Sequence, residues 1–257
     1  MPLRIYLIGR SHLNSDEFNR FLREHNITWT PGPGATHGEE LAEISGRVCY
    51  MSFGRRQKQS NGAFIRHLIE KGHESVLEHV NWTFLVTGVS RAFTHQLVRH
   101  RVGFSFSQLS QQYYDHTEAE FLKPPILANF PKACAAWEQA VATARKSYKD
   151  ILGELAELEN PVKNGISKKE IRRLIRSSAR SVLPNATETK IVITANARAI
   201  RHFLAVRGSI PGDEEMRTVC GELLKLLKVE APALFMDFEL KSLADGSPIV
   251  VKKKIEE

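Results

Sequence analysis

The longest stretch of helical periodicity runs over residues 131–159, where Trp137, Ala140, Ala144, Tyr148, Ile151, Leu152 and Leu155 recur at i, i+3, i+4 and i+7 spacing. A helix of that length acts as a scaffold for the rest of the chain. Shorter helical patterns occupy residues 39–50, 62–71, 90–100, 167–179, 197–206 and 212–228. Asn14 with Glu17 resembles a capping box opening a further helix, and Gly72 stands where a C′ glycine would end the 62–71 helix. Residues 1–9, 81–89 and 187–195 read instead as strands, whereas 102–115 are polar and aromatic without a period. Strands scattered among helices without βα alternation predict an α+β fold.

Composition removes several classes. With 257 residues, 42% hydrophobic and 25% charged, the chain is neither disordered nor fibrous. No window approaches the ~18 consecutive apolar residues of a membrane helix. The apolar start is too short for a signal segment, so a cytoplasmic protein with no membrane partner is expected. Pro31-Gly32-Pro33-Gly34 is the one turn-rich break before the main body, and what precedes it is too short to fold alone. A single domain over residues 1–257 follows, with 1–38 a peripheral αβ segment and 241–257 a solvated basic tail carrying Lys252-Lys253-Lys254. Cys49, Cys134 and Cys220 are odd in number and unpaired by any C-x-x-C spacing, so neither a disulfide framework nor a cysteine zinc site is indicated. They are expected to be buried apolar groups outside any polar cluster. The formal charge of +7 admits nucleic acid, a membrane surface or a nucleotide.

Phosphate-loop, nucleophile-elbow and dinucleotide-fold signatures are missing. His73 and His79 are six apart, which does not place two zinc ligands on one helical face. The densest polar segment is Gln96-Leu97-Val98-Arg99-His100-Arg101, followed by Ser105 and by Gln108-Leu109-Ser110-Gln111-Gln112. Consecutive helical residues diverge by about 100 degrees, so Arg99, His100 and Arg101 suit different parts of one large anion. Hydroxyls and amides beyond them suit a phosphate, ribose or base edge. A plainer role is open as well: cations complementing a helix C-terminus, followed by a solvated loop. In a second cluster Asn196 caps a helix on which Arg198 and His202 share a face, with Arg207 at its end. Its plainer role is an amphipathic helix with a basic solvent face. Arg180 closes a third basic segment containing Lys168, Lys169, Arg172, Arg173 and Arg176.

Together these segments resemble the flavin-dependent thymidylate synthases (ThyX). Arg99-His100-Arg101, Ser105 and Ser110 are similar to that family's signature, with one inserted residue before Ser105 and Gln112 where the family usually has arginine. Gly72-His73-Glu74-Ser75, Asn196-Ala197-Arg198 with His202 and Arg207, and Arg180 before Pro184 extend the likeness over residues 40–240. Pro211 replaces a histidine common after the terminal arginine.

The resemblance implies a single ThyX-like catalytic domain, with a central, mostly antiparallel sheet flanked by helices that include the scaffold helix. It implies a homotetramer with intersubunit sites for FAD and dUMP. His73, Ser75, Arg99, His100, Arg101, Gln108, Asn196, Ala197, Arg198 and His202 would lie at FAD. Gln96, Leu97, Val98, Arg99, Gln108, Leu109, Ser110, Gln111, Gln112, Arg180 and Arg207 would hold the nucleotide, with Arg207 catalytic. The implied reaction transfers one carbon from 5,10-methylenetetrahydrofolate to C5 of dUMP, completed by hydride from NADPH-reduced FAD. Arginine suits the Arg207 role because its permanent planar cation favours the N3-deprotonated uracil. Gln112 leaves room for UMP as the acceptor, and a basic RNA-binding module using the 168–180 helix with neighbouring aromatics is the rival outside enzymology.

Overall fold

The computed structural model describes residues 2–54, 59–159 and 167–253. In chain order its elements are β1 (Arg4–Arg10), α1 (Ser15–Glu24), α2 (His37–Tyr50), α3 (Asn61–Glu70), β2 (Asn81–Ser90), α4 (Arg91–Leu97), β3 (Phe104–Gln108), α5 (Pro131–Leu155), α6 (Lys168–Ala179), β4 (Glu188–Asn196), α7 (Ala197–Arg207), α8 (Glu214–Glu230), β5 (Phe238–Ser242) and β6 (Pro248–Lys252). Four strands form one sheet in the order β1-β2-β4-β3, and β5 pairs antiparallel with β6. The fold is α+β.

Local chemistry sets the boundaries. Asn14, Thr36, Ser60, Ser90, Ser167 and Asn196 each cap a helix by accepting a backbone N–H in its first turn. Gly72 takes φ +70 just beyond α3. The segment 102–115, expected to lack regular structure, contains β3.

The chain forms two compact units. One comprises residues 1–4, 86–99 and 107–191, and the other 5–85, 100–106 and 192–257. In the first, Val86, Val89, Phe93, Leu97, Ile175, Ala179 and Ile191 are buried, together with Tyr148 of α5. Tyr148 is the one member of the expected α5 stripe that is fully buried, and Ala140 is exposed. In the second unit, α2 and α3 are joined by a buried polar network. Arg47 pairs with Glu43 at 2.6 Å, and Asn61 donates to the Glu43 carboxylate at 2.7 Å and to the Glu39 carbonyl at 3.0 Å. Leu13, Leu22, Trp29, Ile44 and Phe53 form a hydrophobic cluster, which gives the N-terminal segment its own apolar anchor.

Several expectations change. Residues 241–252 are not a solvated tail: the hairpin of β5 and β6 continues to Lys252, because Val250 is buried and its N–H donates to the Gly208 carbonyl at 2.8 Å. Lys254 and residues 255–257 lie outside the described residues. Of the cysteines only Cys220 is buried, where desolvation raises its thiol pKa; Cys49 is exposed. Cys134 does lie in a polar cluster, accepting from Lys123 Nζ at 3.4 Å beside Glu138.

Candidate active site

In the second unit, the loop carrying His100 and Arg101 is fastened to the start of α7. The Asn196 N–H donates to the Gly103 carbonyl at 3.1 Å, and the Asn196 side chain accepts from Ala199 N at 2.8 Å. Gly103 has φ +72, and a Cβ there would lie 2.6 Å from Asn196 Nδ2 and 2.7 Å from the Ala199 Cβ. Only glycine allows this approach, and Gly103 falls in the stretch containing the insertion seen before Ser105.

At the far end of α7, Arg207 Nε donates to His100 Nε2 at 3.0 Å. An arginine nitrogen cannot accept, so Nε2 carries the lone pair and His100 is the neutral tautomer protonated on Nδ1. Burial, the nearby Arg207 and then His202 lower the His100 pKa, which agrees with that state. Its ring meets Phe203 edge-on at 5.1 Å. His73, Ser75, Arg101, Arg198 and His202 are exposed, while Ala197 is buried. Arg198 bonds Glu78 at 2.6 Å.

Arg201 departs from the expected basic solvent face. Its side chain is 1% exposed and bonds both Asp237 oxygens at 2.7 Å, the Leu234 carbonyl at 2.6 Å and Glu74 at 3.4 Å. Glu74 lies between His73 and Ser75, so its partly buried contact with Arg201 ties α7 to the short 3₁₀ helix Glu74–His79.

In the first unit, Gln108 donates to Thr94 Oγ1 at 2.9 Å and to Thr189 Oγ1 at 3.3 Å, fixing the start of the loop. Leu109 N donates to the Lys190 carbonyl at 2.9 Å, and Ser110 Oγ accepts from Gln112 N at 3.2 Å. Gln96 and Val98 are half-buried, Arg99 is exposed, and Gln111 is buried. Leu97 is in the core, leaving only its backbone for ligand contact.

Arg91, missed in the sequence, starts α4 with its Nη1 buried and without a hydrogen-bond partner. Burial and then the like charge of Arg180 lower its pKa. Two guanidiniums held near one another, with a buried donor unsatisfied, form a site that an anion would complete. Arg91 is separated in sequence from the cluster at 96–101, and only the fold reveals its relation to Arg180. The donors available therefore fit phosphorylated ligands: hydroxyl, imidazole and guanidinium groups for a dinucleotide in the second unit, and the unmet Arg91 donor beside Arg180 for a phosphate in the first.

These features define a protein with arginine-rich sites suited to nucleotides. Residues 34–233 match the Thy1 family, described as thymidylate synthase complementing protein, and the chain belongs to that family. It is 38% identical over 259 residues to the flavin-dependent thymidylate synthase of Mycobacteroides abscessus, covering 100% of this chain and 98% of that one. Identity to the flavin-dependent thymidylate synthase of Mycobacterium tuberculosis is 40% over 250 residues, covering 96% and 94%. The enzyme of the same name from Mycolicibacterium gilvum is 39% identical over 251 residues, covering 96% and 94%. This membership favours the enzyme over the RNA-binding alternative.

Proposed function

We propose that the two units divide the binding tasks of a flavin-dependent thymidylate synthase. The second unit holds FAD through Ser75, His100, Arg101, Asn196, Ala197, Arg198 and His202, with His73 near the flavin. The first unit holds dUMP through Gln96, the 97–98 backbone, Arg99, residues 108–112 and Arg180, and Arg91 joins this set. The observation that carries the reading is the unsatisfied Arg91 donor beside Arg180, since an anion supplies what the protein there does not.

Bound FAD, reduced by NADPH, supplies the hydride that completes a methyl group whose carbon comes from 5,10-methylenetetrahydrofolate. Arg207 contributes a permanent cation that stabilises negative charge on the uracil ring. His100, neutral and accepting from Arg207 Nε, restrains the guanidinium plane without cancelling its charge. The whole chain serves as one ThyX-like catalytic domain. It assembles as a homotetramer with shared sites, a reading supported by the α5 stripe of which only Tyr148 is fully covered within the chain. Among the described residues no helix is long and apolar enough to cross a membrane, and a cytoplasmic location suits nucleotide biosynthesis.

Incubating the FAD-loaded protein with NADPH, labelled methylenetetrahydrofolate and either dUMP or UMP tests the reaction. The expected result is a yellow protein bleached by NADPH and label recovered in dTMP. Folded protein that takes up no flavin, or label appearing only with UMP, overturns the reading. Within that assay Arg207→Lys should reduce turnover by roughly a hundred-fold or more while flavin content stays constant. Equal loss of both would remove Arg207 from the nucleotide.

A further inference from the structure

The loop after β3 is met by two arginines of α6. Arg173 Nε donates to Gln112 Oε1 at 3.1 Å, and its guanidinium lies 5.7 Å from the centre of the Tyr113 ring. Arg176 Nη1 donates to the Tyr113 carbonyl at 2.5 Å. Arg173, Arg176 and Arg180 recur at i, i+3 and i+7, which puts them along one face of α6 and its continuation. Arg172, rotated by about 100 degrees from Arg173, pairs with Glu159 instead.

The partners on the Arg173 face are unusual in kind. Its arginines rest on an amide oxygen and a backbone carbonyl, both neutral acceptors. Among the described residues, no carboxylate lies within ion-pair distance of Arg173, Arg176 or Arg180. Asp115 is near enough to feel Arg176, but Thr117 holds its carboxylate. Neutral acceptors orient a guanidinium without neutralising it. The Gln112 bond uses only Nε of Arg173, and among the described residues the two terminal nitrogens have no hydrogen-bond partner. That pair of N–H donors matches two oxygens of a phosphate monoester.

We propose that Arg173 supplies the guanidinium for the 5′-phosphate of dUMP at this loop, with Gln112 as its positioning residue. The cation absent from position 112 is provided from α6, held by the very side chain that replaced it. This rests on the reading of residues 108–112 and Arg180 as the nucleotide anchor, and it adds a binding residue that the sequence signature does not contain.

The test uses FAD-loaded protein and two probes, dUMP and 2′-deoxyuridine, which differ only in the phosphate. Arg173→Ala should weaken dUMP binding by roughly ten- to hundred-fold, the size of one or two charge-assisted bonds. Deoxyuridine affinity, flavin content and melting temperature should not change, because Arg173 is exposed. Adding Gln112→Arg to that variant should restore most of the dUMP affinity, whereas a purely structural clamp would not be rescued by removing its acceptor. Arg180→Ala serves as the reference. If it weakens dUMP and Arg173→Ala does not, the proposal is wrong and the anchor reading stands. If deoxyuridine binding falls as much as dUMP binding, Arg173 only props the loop and the proposal fails. If neither variant affects dUMP, the anchor reading fails together with the proposal.

Discussion

The two units treat their arginines differently. In the second, Arg47, Arg198 and Arg201 are paired with Glu43, Glu78 and Asp237, and Arg207 rests on a neutral imidazole that orients it without cancelling its charge. Among the described residues Arg23, Arg66 and Arg101, all exposed, form no ion pair there, and Arg217 bonds only neutral acceptors, while in the first unit Arg172 pairs with Glu159. In the first, Arg91, Arg173, Arg176 and Arg180 form no ion pair among the described residues, and Arg91 keeps a buried N–H unmet. Paired arginines organise a framework, whereas unpaired ones close together raise the folding free energy unless an anion arrives. The difference separates positioning from binding more sharply than any count of cations.

The largest break in this comparison is expected at Arg201. Arg201→Met leaves Asp237, whose side chain is 1% exposed, without its main partner, and such an uncompensated buried charge costs about 3–5 kcal/mol. Denaturant unfolding measures it directly. Replacing Asp237 by an apolar residue as well should recover much of the loss, because the cost arises from the stranded charge. A double variant as unstable as the single one would contradict this account.

Arg180→Met should behave in the opposite way. It removes a like charge from beside Arg91, so the melting temperature should hold or rise. Binding of dUMP should weaken by about 1.5–3 kcal/mol, close to ten- to hundred-fold. A titration and a thermal melt on the same sample distinguish the cases. A fall in stability matching that of Arg201→Met would erase the contrast between the two units.

Most of the architecture was legible because it follows from periodicity and capping. The Asn196 cap and the helical pattern over residues 197–206 located α7 to within one residue of its observed end at Arg207. β3 was hidden because it is only five residues long, and its serines alternate with phenylalanines in a segment that also reads as a polar loop. Arg201 was misread because residue type argued for solvent, while its partner Asp237 is 36 positions away and belongs to no local pattern. Arg91 was missed for the same reason, since a lone arginine acquires meaning only through a neighbour that folding supplies. The Gln112 departure was visible in the sequence, but the compensating contact from Arg173 was not.

A smaller effect concerns the histidine in each unit that faces arginines. His100 is held below its usual pKa by burial, Arg207 and His202; His116, 3% exposed with Nε2 unpartnered, is lowered by burial and by Arg91, against opposing pulls from Asp115 and Glu188. A base with a depressed folded pKa binds fewer protons in the native state than in the unfolded one. Each histidine therefore adds stability that is complete above the unfolded value of ~6.5 and is lost as pH falls through the lower folded value. Their consequences for turnover should differ. Protonating His100 removes the acceptor that restrains Arg207, so kcat should fall by several-fold toward about pH 5, beyond any change in unfolding. His100→Gln keeps an acceptor that does not titrate, and should flatten this acid limb while retaining turnover near pH 8 at unchanged flavin content. His116→Gln should flatten the acid limb of stability and leave the kcat profile in place. If His116→Gln also flattened the kcat profile, imidazole neutrality would matter through the fold in both units, and the special link between His100 and Arg207 would be lost.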